Sequence, residues 1–189
     1  IDLLNRPDKL IVGHSITKDH ASLVHHVTTA AGLICGIVAS VLIRSVTTGL
    51  IFVMVAGLLW FYSASYKRQF IVGNVIIALL TGLTPILIAI VHHAYLGMES
   101  NYGTIISQTP VPMTIYTVTC CFGLFAFLLT LMREIVKDMQ DEYGDRESEC
   151  RTIPIVIGDS KTKIILYIIT AVTAILSVKF SLSVNDFPL

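Results

Sequence analysis

Five stretches of this chain are too long and too apolar for the interior of a small water-soluble globule: Ala21 to Ile43, Val46 to Tyr66, Phe70 to His92, Val111 to Met132 and Ile164 to Leu182. At a rise of about 1.5 Å per residue, each run is long enough to cross a hydrocarbon core of about 30 Å. The first four contain no Lys, Arg, Asp or Glu, and the fifth carries only Lys179 near its end, where a long side chain can reach the interface. No water is available inside a bilayer to satisfy backbone polar groups, so segments of this length must satisfy them internally as helices. Gly82, Pro85 and Pro112 are compatible with that setting, because neighbouring helices and Thr side chains can satisfy freed backbone groups. The expected fold class is therefore all-α, a polytopic transmembrane helix bundle forming one domain over residues 1–189. Only 14% of the residues are charged, against ~25% in soluble domains, and the mean hydropathy is +0.77.

The 13 basic and 13 acidic residues cancel, which removes the basic excess that nucleic-acid binding would require. Their placement is far from even. Counted in the gaps between the apolar runs, Arg6, Lys9, Lys18, Lys67, Arg68, Arg133, Lys137, Arg146, Arg151, Lys161 and Lys163 fall on one face of the membrane, and only Arg44 and Lys179 on the other. Basic residues are retained on the cytoplasmic side, so the charged face is expected to be cytoplasmic. The acidic residues divide in the same way, with only Glu99 and Asp186 opposite. The rule for basic residues does not require that second asymmetry, so the mixed-sign face calls for a reason of its own.

The longest charged gap runs from Arg133 to Thr152. If the fourth helix continues beyond the membrane, Glu134, Asp138, Asp141 and Asp145 fall at i, i+4, i+7 and i+11, along one helical face. Like charges at those spacings destabilise a helix, and a divalent cation would compensate them. Mg²⁺ suits such a place, since it is held by one or two carboxylates while it also binds phosphate oxygens. A solvated loop laced with weak salt bridges accounts for the spacing equally well. The balance shifts because Arg6, Lys67, Arg68 and Arg151 arrive from three loops on the same face. Carboxylates able to hold a metal, beside Lys and Arg able to hydrogen-bond phosphate, describe a diphosphate site at a membrane surface.

The residues at these positions resemble the UbiA-type intramembrane prenyltransferases. Ile1 to Gly13, I-D-L-L-N-R-P-D-K-L-I-V-G, is similar to the second half of that family's first aspartate motif, with Asp2 as its last aspartate and Asn5, Arg6 and Pro7 as the N-R-P stretch after it. Asp138, Asp141 and Asp145, followed by Arg151 and Thr152, resemble the second motif. Tyr62, Ser63, Lys67, Arg68, Gly73 and Asn74 match a third landmark.

The resemblance implies five helices, the third to seventh, of a nine-helix fold. The remainder of the first motif would lie before Ile1 and two helices after Leu189. It further implies a Mg²⁺-dependent transfer of an isoprenyl group from a prenyl diphosphate to a small lipophilic or aromatic acceptor, the geranylgeranylglyceryl-phosphate-type branch being the most similar. Asp2, Asp138, Asp141 and Asp145 would hold Mg²⁺, with Asp138, Asp141, Asp145 and Lys67 catalytic. Arg6, Lys67, Arg68 and Arg151 would bind diphosphate, and Asn74 would either face the acceptor or make a hydrogen bond that stabilises the bundle.

Other features are less telling. Cys35, Cys120, Cys121 and Cys150 have no metal-ligand spacing, and His25, His26, His92 and His93 sit at helix ends where interfacial polar residues are common. No basic stretch followed by a short apolar core opens the chain, so no signal peptide is expected. A transporter with an ion-binding cytoplasmic loop remains the alternative. Transporters place ionisable groups near the midplane, and the first four apolar runs hold no Lys, Arg, Asp or Glu.

Overall fold

A computed structural model describes Asn5 and residues 11–66, 69–98 and 111–184. The described residues form an all-α bundle: α1 (Lys18–Leu42), α2 (Val46–Ala64), α3 (Val72–Met98), α4 (Val111–Gln140), α5 (Glu142–Glu147), α6 (Ile153–Ile157) and α7 (Asp159–Val184). Five of them, α1, α2, α3, α4 and α7, are long and apolar enough to cross a membrane. Where helix and apolar run differ most, the helix is the longer. α3 continues to Met98 and α4 to Gln140, because polar residues can extend a helix once it leaves the hydrocarbon.

Short polar devices start the helices. The Thr17 hydroxyl accepts from the His20 N–H at the start of α1, and Ser45 does the same for the Thr48 N–H at the start of α2, each at 3.3 Å. Only Ile43, Arg44 and Ser45 separate α1 from α2, and Arg44 takes a left-handed φ of 50° to make the turn. The two helices therefore lie antiparallel. Gly36 admits the Phe52 ring, which a Cβ at that position would meet at 2.7 Å.

Between α3 and α4, backbone meets backbone. A Cβ on Gly82 would stand 2.7 Å from the Gly123 carbonyl oxygen, and one on Gly123 would stand 2.7 Å from that of Gly82. In lipid there is no hydrophobic drive between apolar helices, so association rests on close packing, and small residues allow backbones to touch. Ala78 and Ala89 line the same contact side of α3 and are fully or almost fully buried. Much of the outer surface of α1 and α7 is apolar and exposed, as in Leu23, Val27, Ile168 and Ile175.

A second packed region lies where α4 leaves the membrane. Three of the four largest fully buried side chains, Ile135, Pro154 and Thr162, belong to the end of α4 and the elements that follow it. Ile153 and Cys150 are buried with them. The polar chain after α4 is thus folded into a short helical platform, with Gly158 (φ 85°) allowing the turn into α7.

The Gly–Gly contact makes a direct prediction. Gly82→Ala should destabilise the full-length protein by about 1–3 kcal/mol through overpacking, read as a lower thermal midpoint in detergent. Gly32→Ala, where a Cβ meets nothing within 4 Å, should leave the midpoint unchanged or slightly raised. Equal behaviour of the two variants would contradict the α3–α4 contact.

Candidate active site

The charged end of the α3–α4 pair gathers the polar residues singled out from the sequence. Asn74, in the first turn of α3, donates from Nδ2 to the Oδ2 of Asp138 near the end of α4, at 2.7 Å. This bond joins residues 64 positions apart. It also engages the Asn74 amide with an aspartate. Glu134, one turn before Asp138, is buried and paired with the exposed Arg133. The carboxylates of Asp145 and Glu134 both act electrostatically on Asp138, opposed by Lys137. Tyr62, half-buried at the end of α2, lies within electrostatic reach of Glu134 and Asp138. Three helices therefore bring polar groups to one place.

The expectation of a continuous acidic face along one helix needs correction. α4 ends at Gln140, the chain bends at Asp141, and α5 begins at Glu142. Backbone bonds of the helical kind persist on either side, Asp141 N–H to the Lys137 carbonyl at 2.9 Å and Asp145 N–H to the Asp141 carbonyl at 3.0 Å. Between them, the Gly144 N–H donates not to Gln140, four residues back, but to Oδ1 of Asn5 at 2.8 Å. The Asn5 Nδ2 donates in turn to the Asp141 carbonyl at 3.1 Å. A side chain inserted into the helical ladder is a recognised cause of a kink.

The bend sorts the charges. On α5, Glu142 and Arg146 form an exposed i,i+4 pair at 2.6 Å, and Lys163 pairs with Asp159 in the same way on α7 at 2.7 Å. These are solvated salt bridges of small energetic value. Asp145, by contrast, is only 6% exposed, and Asp138 and Asp141 are half-buried. The loop is thus a salt-bridged surface on one side and a carboxylate cluster on the other.

Arg151 is exposed in the link between α5 and α6. Beside it, the Thr152 hydroxyl is buried with no hydrogen-bond partner among the described residues. Asp2, Arg6, Lys67 and Arg68 lie outside the described residues. On the helices, His25 and His26 are exposed on α1, the Nδ1 of His26 lying 2.7 Å from the Ser22 carbonyl oxygen. Asn5 and Gly144 are the contributors whose roles the sequence left unassigned. The signal available was the pairing of an N-R-P asparagine with a glycine inside an acidic helix, and nothing in the sequence joins the two.

Among the described residues, no three His, Cys, Asp or Glu side chains are gathered closely enough to hold a metal ion. The groups that act on one another electrostatically there, Asp138 with Asp145 and Glu134, are carboxylates. Such hard ligands fit Mg²⁺, which needs only one or two of them from the protein.

Comparison with known proteins identifies the family. The family model described as "UbiA prenyltransferase family" matches residues 1–188. Among curated proteins, the digeranylgeranylglyceryl phosphate synthase of Thermococcus sibiricus is 31% identical, covering 100% of this chain and 60% of its own length. The proteins of the same name from Pyrococcus horikoshii and Methanosphaera stadtmanae are 30% and 29% identical, covering 100% and 94% of this chain and 60% and 56% of themselves. The chain thus spans somewhat over half the length of these curated relatives. No solved structure gives a significant match. With its aspartate cluster at the end of an apolar helix pair and a family match over nearly its whole length, the chain belongs to the UbiA prenyltransferase family.

Proposed function

We propose that the protein is an intramembrane prenyltransferase that moves an isoprenyl group from a prenyl diphosphate to a small lipophilic acceptor and releases diphosphate. The observation that carries this reading is the carboxylate cluster around Asp138, half-buried at the charged end of helices whose other surfaces are apolar. An amphipathic substrate with a long hydrocarbon tail and a polyanionic head matches that division. The names of the curated relatives favour a geranylgeranylglyceryl phosphate acceptor, and a quinone precursor is the second candidate.

In the proposed reaction the allylic C–O bond breaks and its electron pair leaves with the diphosphate. A nucleophilic atom of the acceptor then bonds the allylic carbon and loses a proton. Asp138 and Asp145, with Asp141 and Asp2, would hold Mg²⁺. Bound there, the ion supplies the positive charge that stabilises the departing diphosphate. Arg6, Lys67, Arg68 and Arg151 would hydrogen-bond the diphosphate oxygens and orient them. Asn74 would orient the Asp138 carboxylate through their hydrogen bond, a positioning role beside the acceptor contact that the family resemblance implies. The apolar helices shield the allylic cation from water until the acceptor reaches it. The aspartate face is assigned to the cytoplasm from the distribution of Lys and Arg.

Four outcomes are expected of the full-length protein. Diphosphate release from geranylgeranyl diphosphate should cease with a chelator and return with Mg²⁺. Asp138→Asn and Asp145→Asn should each lower kcat roughly 100-fold or more, whereas Glu142→Gln, in the exposed pair with Arg146, should remain near wild type. Full activity in both Asp variants would sink the assignment. Asn74→Ala should cost about 10- to 100-fold in activity, and Asn74→Asp should cost more, since it adds a carboxylate to the cluster. For sidedness, a single cysteine placed by Arg146→Cys in a cysteine-free protein should react with an impermeant maleimide only from the cytoplasmic face. Labelling from outside would reverse the topology.

A further inference from the structure

Asn5 and Gly144 stand 139 residues apart, yet each is shaped to the other. The Asn5 carboxamide accepts from the Gly144 N–H at 2.8 Å and donates to the Asp141 carbonyl at 3.1 Å. An ideal Cβ on Gly144 would lie 2.6 Å from both Oδ1 and Nδ2 of Asn5. Gly144 carries no positive φ, so its backbone conformation does not demand glycine. The Asn5 side chain is what demands it.

The residue type on the other side is equally constrained. The acceptor must face an N–H and the donor a C=O, which a primary amide satisfies with one planar group. Aspartate could accept from Gly144 but, when ionised, could not donate to the Asp141 carbonyl, and it would add negative charge beside Asp138 and Asp145.

We propose that Asn5 is a positioning residue: its carboxamide props open the helical ladder at the α4–α5 bend and ties the segment bearing Asp2 and Arg6 to the one bearing Asp141 and Asp145. The inference rests on the functional reading above, in which those four residues serve one metal–diphosphate site. Asn5 follows Asp2 by three residues and directly precedes Arg6 in the covalent chain. Fixing its side chain on Asp141 and Gly144 therefore couples the two acidic segments. Past the bend Asp145 is buried, whereas Arg146 is exposed and holds the half-buried Glu142 in an ion pair. Without the amide, the Gly144 N–H would lose this acceptor and the bend its support, and Asp141 and Asp145 would shift relative to Asp138.

The test uses full-length protein in detergent, with Mn²⁺ as a paramagnetic substitute for Mg²⁺, titrated with inorganic diphosphate present and followed by electron paramagnetic resonance. Asn5→Ala, which only removes atoms, and Gly144→Ala, which places a methyl against the amide, should each weaken Mn²⁺ binding by about 10- to 100-fold. Helical content by circular dichroism should be unchanged. Because both act on one clamp, the double variant should be no weaker than the weaker single variant. Wild-type affinity in Asn5→Ala, or losses that multiply in the double variant, would overturn the proposal. If wild-type protein transfers a prenyl group and binds Mn²⁺ with diphosphate while the variants match it, only the clamp fails. If wild-type protein does neither, the functional reading fails and the clamp with it.

Discussion

The contact between the backbones of Gly82 and Gly123 governs the geometry of the charged end. Asn74 lies eight residues from Gly82, about 12 Å along α3, whereas Asp138 lies 15 residues from Gly123, about 22 Å along α4. The two nevertheless meet at 2.7 Å. The helices run antiparallel, and side chains lean toward the N-terminus of their own helix. Asn74 therefore leans out of the bundle and Asp138 leans back toward it, which closes much of the difference. Close packing in the apolar layer thus sets where a charged group is held at the surface.

Exclusion of charge from hydrocarbon explains why the functional groups collect where they do. With no Lys, Arg, Asp or Glu in the first four apolar runs, ionisable chemistry is confined to the ends of helices and the links between them. A link of unstructured chain would hold carboxylates loosely. Here the link after α4 is folded on a small core of Ile135, Cys150, Ile153 and Pro154, and that core gives Asp145 a buried position. Like charges held close at a half-buried surface repel, and a cation relieves the repulsion. Under the proposed function, a metal bound there together with a polyanion would relieve that repulsion.

Much of this was legible in the sequence because membrane helices obey one strong rule. Length and absence of charge located all five spanning helices, and the uneven distribution of Lys, Arg, Asp and Glu pointed to the face on which the proposed chemistry is placed. Helix ends were less legible. Polar residues beyond Met132 can continue a helix as readily as end it, and α4 runs on to Gln140. The bend at Asp141 was invisible, because Glu134, Asp138, Asp141 and Asp145 have the periodicity of an unbroken helix. What breaks it is the Asn5 amide, a partner 136 residues away from Asp141.

By itself the sequence determined the fold class, the spanning segments and which residue types share a membrane face, since these follow from hydrocarbon's intolerance of charge and of unpaired backbone groups. Only the tertiary structure decided which polar groups touch. It turned Asn74 toward Asp138, buried Asp145 while leaving Arg146 exposed in its pair with Glu142, and inserted Asn5 against Gly144. Those choices depend on helix packing and on hydrogen bonds between distant segments, where geometry rather than spacing selects the partner.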